Sequence, residues 1–132
     1  MRILLADDHA MFRSGLRRIL KEEFPDAFVE ESSSCAEVLD RIKKDSWDIV
    51  VLDIAMGAQN SLNIVPEIKK KHPRTPVLML SMYSDKQFIV QALRAGASGY
   101  LTKEHTTEEL IHGIKALLDG RRYLSESIAE NL

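Results

Sequence analysis

Short apolar runs alternate along the whole chain with longer stretches of helical period. Arg2 to Ala6 is short, continuous and apolar, as a strand buried on both faces should be. Behind it, Phe12, Leu16, Ile19 and Leu20 recur on one stripe of an amphipathic helix that Pro25 ends. Phe28 to Glu31 predicts a weaker second strand. Ser34-Cys35-Ala36-Glu37 reads as a capping box, with Val38, Leu39 and Ile42 forming the apolar face behind it. Ile49 to Leu52 predicts a third strand; a loop then leads to a helix with Ile64, Ile68 and a lysine-rich end before Pro73. Pro76 to Leu80 predicts the fourth strand. Ser84-Asp85-Lys86-Gln87 opens another helix by the same capping logic, and Gly96 is placed for its C-terminal cap. Gly99 to Leu101 is a short fifth strand. Thr106-Thr107-Glu108-Glu109 caps the last long helix, with Leu110, Ile111, Ile114, Leu117 and Leu118 inward and Gly120 after it.

This is five βα units. The alternation predicts an α/β fold with a five-stranded parallel sheet, doubly wound, with helices on both faces. Right-handed crossovers leave few topologies for it. A chain of 132 residues fits one domain with one sizeable core. Residues 1–120 carry the pattern. In residues 121–132, Leu124, Ile128 and Leu132 form one narrow apolar stripe, which reads as the start of a linker towards a further domain that this chain lacks.

Charge and cysteine usage remove some functions. A net charge of −2 argues against a nucleic-acid-binding surface as the main feature. The clusters Lys69-Lys70-Lys71 and Arg121-Arg122 read as solvated helix ends or loops. The single cysteine, Cys35, allows no internal disulfide and fits a reducing cytosol. His9, His72, His105 and His112 show no metal-ligand spacing. The apolar run after Met1 is too short for a signal peptide or a membrane span.

The chemistry concentrates at strand ends. Asp7 and Asp8 close the first strand and Asp53 closes the third. In an open parallel sheet, ligands bind beyond the carboxyl ends of the strands. If the two strands are neighbours, three carboxylates share one small volume, where like charges need help to stay ionised. An oxygen-only cluster of that size suits Mg²⁺. Ser81 follows the fourth strand and Lys103 the fifth. Taken singly, each has an ordinary reading: a turn aspartate, a loop serine, a surface lysine. Taken together they make a site: Asp53 as nucleophile, a metal on the acidic pair, Ser81 as hydroxyl donor to the anion that Asp53 acquires, and Lys103 as a cation for phosphate.

With these residues in place, the chain resembles the receiver domains of bacterial two-component response regulators, essentially from Met1 to Gly120. The resemblance rests on Ile3-Leu4-Leu5-Ala6-Asp7-Asp8-His9, Asp48-Ile49-Val50-Val51-Leu52-Asp53, Val77-Leu78-Met79-Leu80-Ser81 and Ala95-Gly96-Ala97-Ser98-Gly99-Tyr100-Leu101-Thr102-Lys103. It is closest in wording to receivers of transcriptional regulators with a C-terminal helix-turn-helix domain. The resemblance implies a flavodoxin-like (βα)5 fold and a switch rather than a turnover enzyme. It implies that Asp53 takes a phosphoryl group from a sensor histidine kinase, and that Asp8 binds Mg²⁺ directly and Asp7 through water. The backbone carbonyl of Ala55 would complete the protein ligands. Ser81 and Lys103 would hold the phosphoryl oxygens, and Tyr100 would be the aromatic whose rotamer follows the phosphorylated state. It further implies a cytoplasmic protein, pairing into a homodimer on phosphorylation, and DNA contact only through an output domain.

The chain departs from that family after Asp53. Gly57 stands where the family usually has proline, and Ser61 where it has glycine. Glycine loosens a loop that proline would stiffen, and serine does not suit a positive φ. The path of this loop, and with it the Ala55 carbonyl, is therefore the least determined part of the site. An alternative function is a receiver that acts only as a protein-interaction module. A dehalogenase-type phosphatase would need a second aspartate where Ala55 stands. A dinucleotide-binding domain would need a glycine-rich first turn where Asp7-Asp8-His9-Ala10 stands.

Overall fold

A computed structural model describes residues 1–82, 85–104 and 107–130. The sheet contains β1 (Arg2–Ala6), β2 (Phe28–Ser32), β3 (Ile49–Asp53), β6 (Val77–Ser81), β7 (Gly99–Thr102) and β8 (Tyr123–Leu124). The helices are α1 (Ala10–Glu23), α2 (Cys35–Lys44), α3 (Val65–Lys71), α4 (Lys86–Ala95), α5 (Thr107–Leu118) and the short α6 (Glu126–Ala129). Between β3 and α3 lie β4 (Ala55–Met56), β5 (Gln59–Asn60) and a 3₁₀ turn, Ser61–Ile64. The sheet order is β2-β1-β3-β6-β7-β8, and every pairing is parallel.

Alternation along the strands divides the core in two. Leu4, Ala6, Val50, Leu52, Val77, Met79 and Tyr100 join a cluster with Val38 and Ile42 of α2, Val65 and Ile68 of α3, and Ile89 and Ala92 of α4. Ile3, Leu5, Ile49, Val51, Leu78, Leu80 and Leu101 join a second cluster with Leu16 and Leu20 of α1 and with Leu110, Ile114 and Leu117 of α5. Both faces are covered, which is why the strands read as continuous apolar runs.

The predicted units are all present, with local differences. Ser34 caps α2 by accepting from the Glu37 amide, but the Glu37 carboxylate reaches back to the amide of Ser33 rather than that of Ser34. Asp85 is the cap residue of α4 and makes no side-chain cap bond. The predicted cap residues Ser84 and Thr106 lie outside the described residues. The expected loop after Asp53 is a hairpin: Ala55 pairs with Asn60 and Met56 with Gln59.

The tail begins packed against the sheet. Tyr123 and Leu124 pair with Gly99 and Tyr100 and add a sixth strand to the five expected. A Cβ at Gly99 would stand 2.9 Å from the Tyr123 carbonyl oxygen, so the bare glycine permits this approach. Leu124 and Ile128 pack into the cluster that holds Tyr100, and Ile128 is 1% exposed. Their apolar spacing comes from a strand followed by a helical turn, not from one helix; Leu132 lies outside the described residues. Among the described residues, no helix is long and apolar enough to cross a membrane.

The tail is therefore expected to contribute to stability. Ile128→Ala should cost about 2–4 kcal/mol, the usual range for emptying a buried aliphatic site. Urea unfolding of the two chains measures this; a cost near zero would show that the tail is not part of the cooperative core.

Candidate functional site

Strand register assembles the site. Ala6 pairs with Leu52, so Asp7 and Asp53 follow side by side on neighbouring strands. Asp53 pairs with Leu80 and Ser81 with Thr102, so Ser81 and Lys103 lie one step further along the adjoining strands. The Lys103 amide donates to the Ser81 carbonyl at 2.8 Å, which extends the ladder through the lysine itself. The sheet order reverses direction between β1 and β3, and the crevice at that point is where open α/β sheets bind ligands.

Asp7 and Asp53 are buried, 1% and 3% exposed, while Asp8 faces solvent. Lys103 bridges the buried pair: its Nζ lies 2.8 Å from Asp7 Oδ2 and 3.0 Å from Asp53 Oδ2. The Lys103 ammonium also stands over the Phe12 ring, 4.5 Å from its centroid. Arg13 donates from α1 to the Asp7 carbonyl and pairs with Glu31 at 2.8 Å, bracing the end of β1.

The charges act on one another. Burial pushes the Asp53 carboxyl above its ordinary value; the Lys103 bond opposes that rise, the Asp7 charge adds to it, and the Ala55 amide bond opposes it. For Lys103, burial disfavours the ammonium, but Asp7 and Asp53 outweigh it and the group titrates above its ordinary value. Ser81 and Tyr100 are fully buried. Burial raises the Tyr100 phenol; its hydrogen bond with Ser81 works against that rise, and the charges of Asp85 and Asp53 add to it. That bond ties the hydroxyl at the end of β6 to the aromatic of β7.

The loop after Asp53 is built by the two residues that depart from the expected pattern. Gly57 takes φ +64° at the first central position of a two-residue hairpin turn, as a type II′ turn requires. Its amide donates to Asp8 Oδ2 at 2.7 Å. Ser61 takes no positive φ; it opens the 3₁₀ turn, and its hydroxyl donates to the Asp53 carbonyl. Ala55 lies in β4 with its amide bonded to Asp53.

His9 joins the site although its spacing to the other histidines carries no signal. Its Nδ1 lies 3.2 Å from both Asp7 Oδ1 and Asp8 Oδ1. The signal lay in its adjacency to the acidic pair. One ligand atom from each of Asp7, Asp8, His9 and Asp53 falls within 4.8 Å of the others, a cluster that small side-chain movements could draw round one ion. Three carboxylates against one ammonium make a donor set that suits a hard divalent cation.

Two outcomes follow from this geometry. Gly57→Pro, which restores the residue usual in the resembling family, should destabilise this chain by more than about 1 kcal/mol, because proline fixes φ near −65° and removes the donor to Asp8. Chemical denaturation measures it; an unchanged midpoint would mean that the hairpin does not need the positive φ. The second concerns pH. Asp53 holds its proton more tightly folded than unfolded, so stability falls as pH rises through the interval from its ordinary value to its raised one. Ionised Asp53 therefore costs stability at neutral pH. In chelator, Asp53→Asn should melt higher than wild type at pH 7, and the difference should shrink towards pH 4. A difference independent of pH would refute the assignment.

The family profile of the response regulator receiver domain matches residues 3–115. The transcriptional regulatory protein DegU of Brevibacillus brevis is 30% identical over the whole chain, and response regulator UvrY of Escherichia coli K12 is 28% identical over 98% of it. The chain spans 56% and 60% of the length of these two relatives. A crystal structure of a LuxR-family two-component response regulator from Aurantimonas sp. SI85-9A1 superposes with a TM-score of 0.92 at 33% identity, covering 98% of this chain and 93% of that one. The isolated receiver domain of RcsB from Salmonella enterica serovar Typhimurium shares the fold, with a TM-score of 0.86 at 20% identity. A sheet that brings Asp7, Asp8, Asp53 and Lys103 to one end, and a profile match over nearly the whole chain, agree: this chain belongs to the response regulator receiver domain family.

Proposed function

We propose that this domain is a phosphorylation-controlled switch in which Asp53 accepts a phosphoryl group from the phosphohistidine of a sensor kinase. The observation that carries the proposal is Lys103 held between Asp7 and Asp53 at 2.8 and 3.0 Å. This puts a cation beside the nucleophile and leaves the surplus negative charge to a metal. Asp7, Asp8, Asp53 and the Ala55 carbonyl would hold Mg²⁺, which when bound neutralises charge on the acceptor and on the incoming phosphoryl group.

The residues divide the remaining work. An Asp53 carboxylate oxygen forms the bond to phosphorus as the donor's phosphorus–nitrogen bond breaks, and the departing imidazole takes up a proton. Lys103 faces the new anion, as transition-state charge in phosphoryl transfer requires. The Ser81 hydroxyl turns its hydrogen bond towards a phosphoryl oxygen, a stronger acceptor than a phenol. Tyr100 loses or re-forms its bond to Ser81 accordingly, and this difference between two states is what a switch needs. The chain turns over no separate substrate; it catalyses only its own phosphorylation and dephosphorylation.

The length that the relatives have beyond this match supports an output domain following the receiver. By resemblance that is a DNA-binding helix-turn-helix domain, with transcription as the readout, pairing of two copies on phosphorylation and a cytoplasmic setting. The loop residues Gly57 and Ser61 support the site through bonds to Asp8 and Asp53, so they do not favour a phosphorylation-independent module.

Acetyl phosphate with Mg²⁺ should label Asp53, as mapped by mass spectrometry. Labelling should fall to background in excess chelator and in Asp53→Asn. Equal labelling of Asp53→Asn, or full labelling in chelator, would overturn the proposal.

A further inference from the structure

We propose that His9 is a ligand of the divalent cation, so that this site favours first-row transition ions over Mg²⁺ more than an all-oxygen site would. The inference rests on the cation site proposed above and concerns which ion it selects.

The geometry comes from the turn after β1. The His9 amide donates to Asp7 Oδ1 at 2.7 Å, closing a tight turn in which an aspartate bonds the backbone two residues on. His9 is the cap residue of α1 with an extended backbone, φ −91° and ψ 100°, and its ring makes no cap bond. The ring is therefore free to lie over the acidic cluster. Its Nδ1 is 3.2 Å from Asp7 Oδ1, 3.2 Å from Asp8 Oδ1 and 3.9 Å from Asp53 Oδ2. An octahedral ion with bonds of about 2.1 Å holds neighbouring donors about 3 Å apart and opposite donors about 4 Å apart. The imidazole nitrogen, which pairs with the carboxylates in the ion-free site, stands at those separations from one oxygen each of Asp7, Asp8 and Asp53, the Asp53 oxygen being the one that Lys103 holds at 3.0 Å.

The two faces of Asp7 are divided. Lys103 takes Oδ2, while His9 approaches Oδ1. A cation on the Oδ1 side meets His9 and Asp8 without displacing the lysine from Asp7. Lys103 Nζ is 3.4 Å from His9 Nδ1 and can only donate, whereas Asp7 Oδ1 and Asp8 Oδ1, both at 3.2 Å, can only accept. The ring therefore donates Nδ1–H to a carboxylate in the ion-free site and must carry its proton on Nε2 to ligate an ion. The His9 side chain is 63% exposed, so solvent can meet a proton carried on Nε2 when Nδ1 binds an ion. An imidazole among carboxylates raises affinity for transition ions, which gain from nitrogen donors, more than for Mg²⁺, which prefers oxygen.

Mn²⁺ is the probe for ligation. Pulsed electron paramagnetic resonance of the protein with one equivalent of Mn²⁺ should show nitrogen-14 modulation from a bound imidazole, and His9→Gln should lose it. By calorimetric titration, the ratio of Co²⁺ to Mg²⁺ affinity should fall about tenfold in His9→Gln, in line with the effect of disturbing a ligand environment. His9→Asn, which keeps a favoured cap residue for α1, should behave alike and guards against a folding defect in the first variant. Mn²⁺ bound without nitrogen modulation, modulation that persists in both variants, or an unchanged affinity ratio would each overturn the inference while leaving the cation site standing. Loss of all Mn²⁺ binding in Asp8→Ala would support the shared site. A wild-type chain that binds neither Mn²⁺ nor Mg²⁺ at millimolar concentration would overturn the cation site and the His9 assignment together.

Discussion

Lys103 lies between two buried carboxylates, Asp7 and Asp53, and the charge balance of the whole site turns on that contact. A buried carboxylate without a counter-charge is costly, and two side by side are worse. One ammonium answers both, but the exposed Asp8 adds a third negative charge. The balance is left incomplete, and that incompleteness makes the site receptive to a cation. A perfectly neutral cluster would be a structural feature only.

The frame around the ion pair is rigid because it is made of strands. Asp7 and Asp53 follow paired residues of adjacent central strands, and the Lys103 amide is itself hydrogen-bonded to Ser81. The loop that closes the site is tied down instead by single bonds: Gly57 to Asp8, Ser61 to the Asp53 carbonyl, and Asn60 to the Leu62 amide. Each anchors the hairpin at a separate point.

From the same strands a line of contact leads away from the crevice. Ser81 is hydrogen-bonded to Tyr100, and Tyr100 is in register with Leu124 of the tail. Leu124 and Ile128 belong to the apolar cluster that encloses Tyr100. The Ser81 hydroxyl at the end of β6 and the segment after α5 are thus joined through one buried ring, over a path of two strands.

The sequence by itself determined the five βα units and the parallel architecture, because burial on both faces writes continuous apolar runs such as Ile49 to Leu52 between stripes such as Phe12 to Leu20. It also marked Asp7, Asp8, Asp53, Ser81 and Lys103, because in a parallel sheet every strand end opens on the same side. Three features were decided only by tertiary structure. His9 has no spacing to the other histidines and adjoins the acidic pair only in sequence until the turn at Asp7 folds its ring back over the cluster. Gly57 and Ser61 read as departures, yet the hairpin turn uses the positive φ of one and the hydroxyl of the other. The tail read as a linker, since two residues are too short a run to announce a strand; it joins the sheet because Gly99 has no side chain to keep it away. Periodicity reports which face of an element is buried. It does not report which atoms meet across elements, and in this chain those meetings place His9, the hairpin and the tail.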